Sequence, residues 1–367
     1  VNDSERVQTM TRDDTADTGQ GGAGRRDTGA RASRAGIRRA TRALSRPGPW
    51  KRGRVPATLA LLLGLLLLLH GRVTDRWSLG SLVETFLPWF GLFVPVLLAW
   101  ALWRRSACAV VASLLPVVVW LNLFGGLLGD KSRSGADLTV AQHNVGDANP
   151  DPSGTARDLA ASGADVLALV ELTEQARGTY EKELAKTYPF HTVLGTVGLW
   201  SRLPLSDTRP VDTQMDYGPL ADTKPAGVRL AGNRALRTTV ATEHGPLAVY
   251  VAHLGSVRLM PRGGFWTESR DRNARALGEA VAAERSERVV LLGDLNGTTD
   301  DRALDGITSQ LRSAQTEAGD GFGFTWPATF PVARIDQILV RGVQADSSWV
   351  LPATGSDHLP VAAGISW

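Results

Sequence analysis

The sequence predicts a mixed α/β domain preceded by a membrane anchor and an unstructured basic tail. Three observations lead there. Charge is distributed unevenly, three long apolar runs occupy residues 55–128, and from Asp137 onward short β-rich runs alternate with amphipathic stretches.

Residues 1–56 hold 13 basic against 6 acidic side chains, residues 57–136 hold 6 against 3, and residues 137–367 hold 21 against 28. A basic tail therefore precedes an acidic domain, whose overall field does not draw it onto nucleic acid. Residues 1–54 are rich in Arg, Gly, Ala, Ser, Thr and Asp and offer little to bury, the composition of a disordered tail. Cys108 is the only cysteine, so no intrachain disulfide forms.

The apolar runs cover residues 55–69, 83–103 and 107–128, and the last two are long enough to cross about 30 Å of hydrocarbon. The first is shorter, but its near-unbroken leucine content and the lack of a small-residue cleavage site favour a retained span. Three transmembrane helices are expected. Arg38, Arg39, Arg42, Arg46, Lys51, Arg52 and Arg54 precede the first run, and Arg104 and Arg105 separate the second and third. The loop 71–82 holds only Arg72 and Arg76, with Asp75 between them. The N-terminus and second loop are then expected in the cytoplasm, with everything after Gly129 outside. Trp89, Trp100, Trp103 and Trp120 read as packing or anchoring residues.

After a linker at 130–136, strands are expected at 138–144, 166–170, 236–242, 247–253, 288–292, 334–340 and 360–366. Helices are expected at 155–162, 173–187, 267–285 and 300–310, the last with Thr299 as N-cap. Residues 206–227 and 255–265 read as long surface loops, the places where substrate choice is usually set.

Four strands end in polar residues that an apolar strand has no structural reason to carry: Asn144, Glu171, His253, and Asp294 followed by Asn296. Taken alone, an Asp-x-Asn is more often turn chemistry, a strand-ending Glu a solvated end, and a strand His a structural one. Their conjunction, in order, with RID at Asp336 and SDHLPV at Asp357 and His358 changes that weighting.

With DVLALVE, GLWSRLPL, YVAHL and GDLN, these motifs resemble the endonuclease/exonuclease/phosphatase superfamily over residues 138–367. Its members include deoxyribonucleases, abasic-site endonucleases, sphingomyelinases and inositol-polyphosphate phosphatases. The resemblance implies a four-layer α-β-β-α sandwich over 137–367. It implies Glu171, helped by Asn144 and Asp357, as oxygen ligands of Mg²⁺ or Mn²⁺. It also implies Asp294 as the base for the attacking water, Asn296 as a donor to phosphoryl oxygens, His253 and His358 as transition-state stabilisers, and Asp336 as the holder of the His358 ring.

Among other candidates, His143 would point to the opposite side of its strand from Asn144. His191 and His244 read as solvent-facing, and Arg270, Arg272 and Arg275 as a solvated helix face rather than a phosphate clamp. The expected activity is hydrolysis of a phosphate ester, a phosphodiester first, with nucleic acid, phospholipid or a small phosphoester as substrate. A non-catalytic module binding a phospho-ligand would not need Asp294 beside Asn296, and a cytoplasmic nuclease would need the apolar runs buried.

Overall fold

The computed structural model describes residues 52–367, apart from residues 75, 215, 216, 227, 229, 231 and 261–263. Up to residue 51, the expected disordered tail lies outside them.

The apolar region forms helices α1 (Arg54–Leu68), α2 (Leu79–Thr85), α3 (Phe93–Trp103) and α4 (Ala107–Phe124). One helix, Ala107–Leu127 with its terminal 3-10 turn, has 21 residues, a mean hydropathy of 2.2 and the length to cross a membrane. The other two expected spans take a different form. At 15 residues, α1 reaches only about 22 Å at 1.5 Å per residue. The run 83–103 is broken, because Leu79–Thr85 and Leu87–Trp103 meet at 65°. The physical reasons are Pro88 at the start of a 3-10 stretch and Glu84, which is buried against Arg302 at 2.7 Å. Trp89 also packs inward, donating to the Val332 carbonyl at 2.7 Å and stacking on Phe324.

Beyond the linker come β1 (Leu138–Asn144), α5 (Pro152–Ala161), β2 (Val166–Val170) and α6 (Glu174–Leu184). Asp151 and Thr173 cap the two helices through their side chains. Then follow β3 (Phe190–Leu194), β4 (Val197–Ser201), β5 (Leu205–Pro210), α7 (Tyr217–Thr223), β6 (Ala235–Thr242) and β7 (Gly245–His253). A small hairpin, β8 (Arg258–Met260) and β9 (Gly264–Trp266), leads into α8 (Glu268–Ala282) and β10 (Val289–Asp294). The chain continues through α9 (Asp305–Thr308), β11 (Arg312–Ser313), α10 (Ala314–Ala318), β12 (Asp336–Arg341), β13 (Gln344–Val350) and β14 (Val361–Ser366).

Two six-stranded mixed sheets result, in the orders β13-β14-β1-β2-β4-β3 and β11-β12-β10-β7-β6-β5. Period-two alternation explains how they stack. Leu247, Val249 and Val251 of β7 enter the core shared with β1, β2 and β4, whereas Ala248, Tyr250 and Ala252 pack with Leu277 and Val281 of α8. On the other sheet Val166, Ala168 and Val170 face the shared core, and Leu167 and Leu169 pack with Leu159 of α5 and Tyr180 of α6. Helices thus cover the outer face of each sheet.

Several elements depart from expectation. The stretch 206–227 contains β5 and α7, and 255–265 contains the β8–β9 hairpin. β5 is an edge strand with almost wholly exposed side chains, so its polar sequence carries no alternation. Thr299 is not the cap of the next helical segment. Asp301 accepts from the Ala303 N–H at 3.0 Å, and the segment is a 3-10 turn followed by the four-residue α9.

Candidate active site

The site lies where the core between the sheets runs out at one end. Asn144 shares strand parity with Val140, Asp294 with Val290 and Leu292, His253 with Val249 and Val251, and Asp336 with Ile338 and Val340, all of them inter-sheet core residues. The polar side chains therefore extend the apolar rows and point between the sheets. Register aligns them further: β10 pairs parallel with β7, setting Asp294 beside His253, and antiparallel with β12, setting Asp294 beside Asp336. From the facing sheet, Asn144 Nδ2 donates to Asp294 Oδ2 at 3.0 Å.

Asp294 is buried. Its Oδ1 accepts from the Asn296 backbone N–H at 2.8 Å, and its Oδ2 accepts from Asn296 Nδ2 at 3.3 Å. Burial, then the Asp336 charge, raises the Asp294 carboxyl above the ordinary aspartate value. Asp336 goes the other way. Burial opposes its charge, but His358, Thr325 and Gln142 hold the carboxyl below its usual value. Its Oδ1 accepts from Gln142 at 3.2 Å, and its Oδ2 from Thr325 at 2.7 Å and from His358 Nδ1 at 2.8 Å. Two neighbouring carboxyls pushed apart in this way suit one to take a proton while the other stays ionised.

His358 stands on the loop before β14, fixed because its backbone N–H donates to Ser356 Oγ at 3.1 Å and Ser356 Oγ donates to the Asn144 carbonyl at 2.7 Å. Its Nε2 faces Asp294 Oδ2 at 3.9 Å. Burial works against a charged ring, yet the Asp336 and Asp294 carboxylates outweigh it and push His358 up to about 10. His253 is the opposite case. Burial, with the Arg234 and His358 charges, holds it well below the usual imidazole value. Because a guanidinium only donates, Arg234 Nη1 at 3.1 Å from His253 Nδ1 makes that nitrogen the acceptor and leaves the proton on Nε2. That Nε2, buried and without a hydrogen-bond partner, lies 3.4 Å from Glu171 Oε1 and 3.7 Å from Asp294 Oδ2.

Glu171 follows β2 in a left-handed conformation, φ +61°, which swings its side chain toward the site. Burial raises its carboxyl above the ordinary glutamate value, opposed by His358 and Asn144. Its Oε2 accepts from the Asp147 N–H at 3.3 Å, while Asn144 Oδ1 accepts from the Gly146 N–H at 3.0 Å. Asp357, exposed, has its Oδ1 against the same turn, 3.7 Å from where a Cβ on Gly146 would lie, and its Oδ2 accepts from Trp326 Nε1 at 3.4 Å. Glu171, Asn144 and Asp357 thus bring hard oxygens to one turn, a set that fits a divalent cation of the Mg²⁺ type. Among the described residues, Asp294, Asp336 and His358 also bring ligand atoms within 4.8 Å of one another. Both Asp336 oxygens there already accept hydrogen bonds.

The remaining candidates fall elsewhere. His143 points away from Asn144, with Nε2 2.8 Å from Thr354 Oγ1, and burial pulls it down to about 3. His191 lies in β3 and stacks on Trp200, and His244 stacks on Trp367. Arg270 corrects the expectation of a solvated face: it is fully buried, with Asp301 at 2.9 Å and Asp271 at 2.7 Å.

Arg234 is the site residue that the sequence reading missed. A signal for it existed. Counting back along the β6–β7 hairpin from the Thr242–Gly245 pair brings Arg234 opposite His253.

A fold of two helix-flanked mixed sheets with carboxylates, amides and imidazoles at one end of the shared core defines a class of phosphoester-cleaving hydrolases. The chain belongs to the Endonuclease/Exonuclease/phosphatase family, whose model matches residues 120–358. No curated protein matches it. Among solved structures it is similar to an endonuclease/exonuclease/phosphatase from Bacteroides vulgatus (16% identity, 63% of this chain and 99% of that one, TM-score 0.50). It is also similar to a humanized D. rerio TDP2 carrying 14 mutations (18%, 63% and 99%, 0.50). A functionally unknown conserved protein from Enterococcus faecalis V583 gives comparable values (15%, 62% and 99%, 0.50). At these identities the likeness is one of fold.

Proposed function

We propose that the chain hydrolyses a phosphate ester, a phosphodiester before a monoester, with help from Mg²⁺ or Mn²⁺. The observation that carries this is the row His253, Asp294, Asp336 across one sheet, met by Asn144 from the other. Asp294, its proton affinity raised by burial, accepts the proton of the attacking water. Asn296 and the neutral Nε2–H of His253 donate to phosphoryl oxygens, and His358, charged and held by Asp336, stabilises the negative charge that develops in the transition state. Glu171, Asn144 and Asp357 would hold the cation, which when bound neutralises phosphate charge and polarises the P–O bond.

We further propose that residues 55–129 anchor the chain in a membrane, with the N-terminus cytoplasmic and the catalytic part outside. Supporting this, Leu61, Leu62, Leu65, Leu102, Trp103 and Val118 turn exposed apolar side chains outward. Such a tether puts lipid headgroups, envelope phosphodiesters and external nucleic acid within reach.

The test is turnover by the full chain in detergent micelles of bis(4-nitrophenyl) phosphate, 4-nitrophenyl phosphate, DNA, RNA and phospholipid, with Mg²⁺, Mn²⁺ or EDTA. Metal-dependent turnover lost in Asp294→Asn is expected. Silence across the panel from folded, metal-bound protein would overturn hydrolysis in favour of a phospho-ligand binding module. Protease cleavage of the catalytic part on intact spheroplasts tests the orientation, and protection would refute it.

A further inference from the structure

We infer that Ser81 and Arg270 are positioning residues, through which helix α2 holds the Asn296 loop in its working shape. The inference rests on the hydrolytic reading only for the role of Asn296. Asn296 lies two residues beyond Asp294 with φ +49°, a conformation that an asparagine adopts at some cost and that surrounding contacts must maintain. Its carbonyl accepts from Arg270 Nη1 at 3.0 Å. The same nitrogen donates to Asp301 Oδ2 at 2.9 Å, so one guanidinium edge joins the two ends of the turn 296–301. The next residue, Gly297, leaves room for this approach, since a Cβ there would stand 2.8 Å from Arg270 Nη1.

A fully buried guanidinium needs an acceptor for each edge. Asp271 serves Nε, and Nη2 donates to Ser81 Oγ at 3.0 Å. Ser81, itself buried, donates a hydrogen bond from its own hydroxyl to Asp301 Oδ2. The acceptor that completes Arg270 therefore comes from a residue 189 positions earlier in the chain, on the helix bent out of the second apolar run. A second clasp three residues on keeps α2 in place. Glu84 accepts from Arg302 Nε at 2.9 Å, from Arg302 Nη2 at 2.7 Å and from the Arg302 backbone N–H at 3.1 Å. The loop 296–302 is gripped from one side by α8 and from the other by α2.

Removing the Ser81 hydroxyl leaves Arg270 Nη2 and Asp301 Oδ2 short of a partner and loosens the Asn296 turn without touching Asp294 or the histidines. The experiment uses the full chain in detergent micelles, comparing wild type with Ser81→Ala, Ser81→Thr and, as control, Ser113→Ala, whose hydroxyl only donates within its own helix to Ala109. Two readouts are taken: kcat and KM on bis(4-nitrophenyl) phosphate with Mg²⁺, and hydrogen exchange of the peptide 294–302. Expected for Ser81→Ala is a kcat lowered about tenfold, within the range that misplacing a catalytic group produces, with KM within about twofold, and exchange in 294–302 accelerated about tenfold for the same lost restraint. Ser81→Thr recovers most of both, and Ser113→Ala changes neither. Unaltered exchange in Ser81→Ala overturns the inference. So does a loss shared by both serine variants, or one that threonine does not recover. If wild type turns over no substrate the hydrolytic reading fails, and the exchange comparison still decides the positioning role.

Discussion

Arg234 and His253 face each other across the β6–β7 hairpin: the guanidinium donates to Nδ1 at 3.1 Å, and the His253 N–H donates to the Arg234 carbonyl at 2.9 Å. One contact sets the tautomer and the other sets the register. Arg234→Ala should lower kcat by roughly 10²-fold, the lower end of what a positioned proton donor contributes. Arg234→Lys, which keeps a donor without the planar fork, should fall between. Steady-state kinetics alongside a melting curve check this, and an Arg234→Ala enzyme with wild-type kcat would remove the tautomer argument.

Glu171 has a strained backbone and a carboxyl whose charge burial opposes. Glu171→Gln keeps the shape and removes the charge, so the Mg²⁺ concentration for half-maximal turnover should rise at least about tenfold. Titrating the metal against activity measures it, and an unmoved midpoint would take Glu171 out of the ligand set.

Away from the site, Glu284 offers a pH test free of any metal. Burial opposes its charge, but hydrogen bonds from Arg237 (2.9 Å), the Ser286 N–H (2.9 Å) and Tyr250 (3.0 Å) prevail and take the carboxyl down to about 2. A depressed carboxyl contributes stability above its unfolded value, about 4.3, and loses it as pH falls through the folded value. Glu284→Gln should therefore cost about 2 kcal/mol at pH 7, with the gap to wild type closing between about pH 4 and pH 2. Denaturant midpoints across that range supply the comparison, and a gap independent of pH would contradict the assignment.

Gly293 lies beside Asp294 where β10 runs against β7, and a Cβ there would collide with the Ala252 carbonyl. Gly293→Ala should destabilise by about 3 kcal/mol and shift the Asp294–His253 pairing, so that activity falls even where the protein stays folded. A variant of wild-type stability and turnover would show that the strands separate freely.

Legibility in the sequence followed the physics of each element. Asn144, His253 and Asp294 stood out because each ends an apolar run in step with the core-facing residues of its strand, whereas Glu171 stood out only as the polar end of a wholly apolar strand and owes its direction to its left-handed backbone. β13 was hidden because Asp346, Ser347 and Ser348 interrupt its apolar pattern. β3 and β5 were hidden because edge strands expose much of their surface. Arg234 sits just outside β6, where no period marks it. The Glu84–Arg302 pair spans 218 positions, so nothing local announces it, and an apolar run that reads as one straight rod is bent by it.

β14 is the last of the fourteen strands among the described residues, yet it lies inside its sheet, antiparallel to β1 on one side and to β13 on the other. Until Val361–Ser366 emerges, the first-made strand keeps an open edge and the sheet remains in two pieces. Asp357 and His358 arrive on the segment that leads directly into that strand. A growing chain thus lacks the joined sheet and two of the proposed site residues at the same time. The strand that joins β1 to β13 and two of the residues proposed for the site therefore share one stretch, 357–366.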